Sequence, residues 1–75
     1  MNKQRRNHID EIVRQLNSLR EELEEMLEDE QGKFDNMPEG LQQSENGQKT
    51  EEAVDVLGTV VDLLENAVSE LEGMA

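Results

Sequence analysis

Apolar residues recur at helical spacing along the first part of the chain. Ile9, Ile12, Leu16, Leu19, Leu23 and Met26 alternate steps of three and four, and Val13 and Leu27 widen the stripe. Such a period puts these side chains on one face of an α-helix. The pattern predicts a helix over about 3–31, with Gly32 as its stop. A second run follows the same rule. Ala53, Leu57, Val60, Leu64, Ala67, Leu71 and Met74 alternate four and three, Val54, Val61 and Val68 repeat at sevens beside them, and Val56 and Leu63 extend the face further. It predicts a helix over about 47–74 that starts between Ser44 and Thr50, either of which can serve as N-cap.

The intervening stretch, about 32–46, holds Pro38, Gly40 and several Asn, Gln and Ser residues, and reads as a connection. Met37 to Gln42 can close one short helical turn with Pro38 at its first position. Phe34, Met37 and Leu41 are its apolar side chains and are expected to plug the turn end of the helix pair.

Two long amphipathic helices and one connection predict a single all-α domain, an antiparallel two-helix hairpin. The apolar positions of the second helix fill four of seven heptad sites, wider than a two-helix coiled-coil seam requires. A second copy is the simplest cover, so the hairpin is expected to dimerise into a four-helix bundle. The residues assigned to self-association are Leu16, Leu23, Val54, Leu57, Val61, Leu64, Val68 and Leu71.

Charge sharpens this picture. The 75 residues carry a formal net charge of −12. Residues 1–20 hold five bases and two acids, 21–55 hold thirteen acids and two bases, and 56–75 hold four acids and no base. The first helix is therefore basic at its start and acidic at its end, against its own dipole. Glu21–Glu25, Glu24–Glu28 and Glu25–Asp29 are like-charge pairs four apart. In the hairpin, Arg5, Arg6 and Arg14 are expected to approach Glu65, Glu70 and Glu72, and the turn becomes a negative pole. An acidic body disfavours direct contact with nucleic acid or anionic lipid. The Lys3-Gln4-Arg5-Arg6-Asn7 cluster has too few bases to reverse that.

The chain has no Cys, Trp or Tyr, and Phe34 is its one aromatic residue. Disulfides and thiolate metal sites are excluded. His8 is the single histidine and has no soft co-ligand for zinc. The acids of Asp29–Glu39 lack the alternation of a calcium loop. No Gly-rich phosphate loop is present, and nothing forms a pocket able to tune a carboxyl group for catalysis. We expect no enzyme, no cofactor and no metal. No apolar run is long enough to cross a bilayer, and none of signal-peptide type follows Lys3, Arg5 and Arg6. A cytoplasmic protein without membrane contact is expected.

The segment Phe34-Asp35-Asn36-Met37-Pro38-Glu39-Gly40-Leu41-Gln42-Gln43-Ser44-Glu45-Asn46-Gly47, followed by Glu51-Glu52-Ala53-Val54-Asp55, resembles a group of small acidic helical-hairpin proteins of bacteriophages and bacterial genomes. In that group an aromatic-Asp-Asn-Leu/Met-Pro-Glu-x-Leu-Gln turn joins two helices. The resemblance covers about residues 33–72. It implies a hairpin, a phage or prophage origin and a bacterial host cytoplasm, and it implies no activity. Two functions are then weighed. One is a small acidic homo-oligomeric interaction module, such as a phage accessory protein that binds a host or phage protein in host takeover. The other is an acidic nucleic-acid mimic that inhibits a host defence or nucleic-acid-binding protein through Glu21, Glu22, Glu24, Glu25, Glu28 and Asp29.

Overall fold

A computed structural model describes residues 1–74. Its elements are helical throughout: α1 (Lys3–Asp35), α2 (Glu39–Gln42) and α3 (Glu45–Glu72). The short α2 falls where Met37 to Gln42 could close one helical turn, and the first long helix outruns its expected end. Asn2 caps α1, its side chain accepting from the Arg5 N–H at 2.7 Å. Gly32 does not stop the helix. A glycine weakens a helix without ending it, and the ladder runs on until the Asn36 N–H donates to the Gly32 carbonyl at 3.1 Å. A Gln31–Asp35 hydrogen bond of 3.0 Å and a Lys33–Glu30 ion pair of 3.2 Å brace the added turn, and Phe34 is half-buried on it. Pro38 makes the break, because it biases the residue before it away from helical geometry.

Pro38 itself precedes α2 as its cap rather than opening it. Its carbonyl accepts from Leu41 N–H at 2.8 Å and from Gln42 N–H at 3.0 Å, closing the turn. Gln42 Nε2 then donates to the Phe34 carbonyl at 2.9 Å and ties α2 to the end of α1. Of the two candidate caps, Ser44 starts α3, its hydroxyl accepting from the Gly47 N–H at 3.2 Å. Gly47 is buried where the chain turns back. A Cβ there would overlap the carbonyl oxygens of Leu41 and Gln42, so the bend demands glycine.

The molecule measures 58 × 14 × 13 Å over its Cα atoms. A 33-residue helix is about 50 Å long at 1.5 Å per residue, so α1 and the turn account for the long dimension. Two helices abreast, about 9 Å between axes, account for a width of about 14 Å. Contacts between α1 and α3 run in opposite senses along the two helices. Ile9 shares a pocket with Leu71, Arg20 meets Glu65, Leu23 shares a groove with Val60 and Leu64, and Leu27 lies with Val54. The radius of gyration is 17.0 Å, against about 11 Å for a compact domain of this length.

A body one layer deep has little interior. Val61 and Val68 are the buried apolar residues, at 6% and 7% exposure, and no large side chain is fully enclosed among the described residues. Leu16, Leu23, Leu27, Val54, Leu57, Leu64 and Leu71 are half-buried along the same seam. None of the described helices is long and apolar enough to cross a membrane.

Candidate association surface

The seam claims only part of each apolar stripe. Ile12, Leu19 and Met26 stand seven residues apart, so they form one row on the edge of α1. They are 36%, 52% and 54% exposed. On α3, Val56 and Leu63 are also seven apart and are each 61% exposed. These two rows face the same way. Leu19, Leu23 and Met26 of α1 line one groove with Val60 and Leu64 of α3, and Glu22 stands at its rim. Val56 and Leu63 are four and three residues from Val60, its neighbours on the helix surface. One broad side of the rod is therefore apolar.

The opposite side differs in chemistry. There the groove between the helices is lined by Glu28 and Asp35 of α1 and by Asp55, Gly58, Thr59 and Asp62 of α3. The rod has two unlike faces, and the apolar one lacks a covering layer.

The residues assigned to self-association fall mostly inside this frame rather than on it. Val61 and Val68 are enclosed by α1, and Leu16, Leu23, Val54, Leu57, Leu64 and Leu71 are half-buried beside them. The exposed rows of Ile12, Leu19, Met26, Val56 and Leu63 were present in the two stripes, but only the interhelical register separates them from the seam.

Glu21, Glu22, Glu25, Glu28 and Asp29 are exposed, and Glu24 is half-buried because it holds Arg20. They occupy an arc of about 160° at 100° per residue, a little less than half the circumference of α1. At the turn, Phe34 and Met37 are half-buried, whereas Leu41 is 56% exposed on the outer side of α2. His8 is exposed.

The expected pairing of Arg5, Arg6 and Arg14 with Glu65, Glu70 and Glu72 is not what forms. Among the described residues the ion pair that crosses between the long helices is Arg20 to Glu65, at 3.6 Å. Arg20 also binds Glu24 within α1 at 2.7 Å. Its side chain lies over the seam, with Nε buried and unpartnered. Arg6 instead lines a pocket with Ile9, Asp10, Leu71 and Met74. Lys3, Arg5 and Arg6 make no ion pair with another described residue. No group of three or more His, Cys, Asp or Glu residues is arranged to hold a metal among the described residues.

Comparison of the chain with protein-family models, with curated proteins and with solved structures gives no match.

Proposed function

We propose that this chain is an antiparallel helical hairpin that acts as a small acidic protein-interaction module and associates first with itself. The observation that carries the reading is the exposed apolar side built from Ile12, Leu19, Met26, Val56 and Leu63. Contiguous apolar surface of this kind marks association sites in soluble proteins. Scattered single residues would not support it. Here Leu19 and Met26 line a groove with Leu23, Val60 and Leu64, and Val56 and Leu63 neighbour Val60 on the helix surface.

The acidic run on α1 is read as the solvating surface of that module. Its carboxylates are spread around the outer arc of the helix, which suits solubility. The resemblance of the Phe34–Gln42 turn to phage and bacterial hairpin proteins supports an accessory role in a bacterial cytoplasm.

Thermal unfolding of the full chain at two protein concentrations about tenfold apart tests the reading, because association links stability to concentration. The Tm is expected to rise with concentration, and Leu63→Glu is expected to abolish that rise while the chain stays helical. A Tm independent of concentration in the parent chain refutes self-association. A rise that survives Leu63→Glu removes the apolar side from the account.

A further inference from the structure

We infer that the partner on the apolar side is a second copy laid antiparallel, its turn end against the open end of the first, about a two-fold axis near Leu19 and Leu63. This rests on the self-association proposed above and adds its geometry.

The first support is area. The chain exposes 5,725 Å², about 1,000 Å² more than the ~4,700 Å² expected for a monomer of its 8.6 kDa mass. A standard interface hides about 800 Å² on each partner. The excess surface of one chain is thus of the size that one copy would cover.

The second support is symmetry. A two-fold contact presses a patch against itself, so the patch must match its own rotated image. Ile12 and Met26 stand seven residues to either side of Leu19. Leu63 lies at the same level of the rod, since Arg20 meets Glu65 and Leu19 shares its groove with Val60 and Leu64. Rotation about that level brings Met26 of one copy to the level of the partner's Ile12, and Val56 to the level of the partner's Glu70. The α1 rows then overlap throughout, and Leu63 meets its own image at the axis.

The third support is charge, and it selects the direction. The turn end, residues 21–55, has thirteen acids and two bases, a net of −11. The open end, formed by residues 1–20 and 56–75, has five bases and six acids, a net of −1. A parallel pair would stack −11 on −11. An antiparallel pair sets each turn end beside an open end, and Lys3, Arg5 and Arg6, which make no ion pair within the described chain, come to the partner's turn end, where the acids Glu30, Asp35, Glu45, Glu51 and Glu52 outnumber the bases Lys33 and Lys49. Opposed fields of this kind fix the orientation of a complex.

A single nitroxide on Gln4→Cys reads the arrangement in the full chain, which has no other cysteine. Position 4 lies fifteen residues from Leu19, so in the antiparallel pair the two labels stand on the order of 45 Å apart at 1.5 Å per residue. In a parallel pair they stand within about 20 Å, set by helix packing distances. Pulsed dipolar spectroscopy, with sedimentation of the same labelled sample, is expected to give a two-chain mass and the long distance. A two-chain mass with the short distance overturns the antiparallel geometry and leaves self-association standing. A one-chain mass overturns both. Arg5→Glu combined with Arg6→Glu is expected to weaken the dimer at least tenfold at low salt, with the loss shrinking as screening length falls to a few ångströms. Unchanged dimer affinity in that variant contradicts the charge-directed orientation.

Discussion

Substituting Gly47 by alanine sets two physical effects against each other. Gly47 lies in the first turn of α3, and in an unobstructed helix alanine is about 1 kcal/mol better than glycine. The site is obstructed. A Cβ at residue 47 would overlap the carbonyl oxygens of Leu41 and Gln42. Those oxygens are backbone atoms and cannot rotate away. The Leu41 carbonyl is also held by the Ser44 N–H at 3.1 Å and by the Ser44 hydroxyl. Relief must come from shifting α2 off α3, which strains the cap at Ser44 and the Gln42–Phe34 tie. Overpacking of this kind typically costs about 1–3 kcal/mol. Loss of the serine cap adds about 1 kcal/mol. The net prediction for Gly47→Ala is destabilisation by about 1–3 kcal/mol, a fall in Tm of roughly 5–20 °C for a chain of this size. Gly58 is the control. It also lies in α3, but an added Cβ there meets nothing within 4 Å. Gly58→Ala is expected to stabilise by about 0.5–1 kcal/mol through helix propensity alone. Circular-dichroism melts of both variants at one fixed protein concentration measure the difference. A Gly47→Ala chain as stable as the parent refutes the packing of α2 against α3. A destabilised Gly58→Ala chain would show that another helix approaches the acidic side instead of the apolar one.

Three further outcomes follow from the same structure. Ser44→Ala removes the acceptor for the Gly47 N–H and is expected to cost about 1 kcal/mol, read by urea denaturation. Val61→Ala, at the most enclosed apolar site, deletes two carbons worth about 0.8 kcal/mol each plus a cavity term, so a loss of about 1.5–2.5 kcal/mol is expected in the same assay; a change below about 0.5 kcal/mol would place Val61 outside the seam. Raising sodium chloride from about 0.02 M to about 0.5 M shortens the screening length several-fold and is expected to raise the Tm, because a net charge of −12 repels itself across a body 14 Å wide; a falling Tm would mean that attractive ion pairs outweigh that repulsion.

The helical character of the chain was legible because its apolar period is long and regular. Both stripes appear in the structure, and Ser44 was among the caps the sequence named. Gly32 is a false stop for α1, because the bracing of Gln31–Asp35 and Lys33–Glu30 carries the helix to Asp35. The need for glycine at position 47 was illegible, because it arises from carbonyls five and six residues upstream folded back onto α3. The division of each stripe into seam and exposed row was illegible for a related reason. Leu16 and Leu19, or Val61 and Leu63, are equally apolar in sequence, and only the rotation of α1 against α3 decides which are covered. The same rotation brought Arg20, rather than Arg5, Arg6 or Arg14, to Glu65.

Whether the apolar side is covered by another copy is read most directly by sedimentation equilibrium of the unsubstituted chain over a concentration series. The account predicts a species of twice the 8.6 kDa chain mass that dissociates on dilution. A single species of 8.6 kDa at every concentration contradicts it.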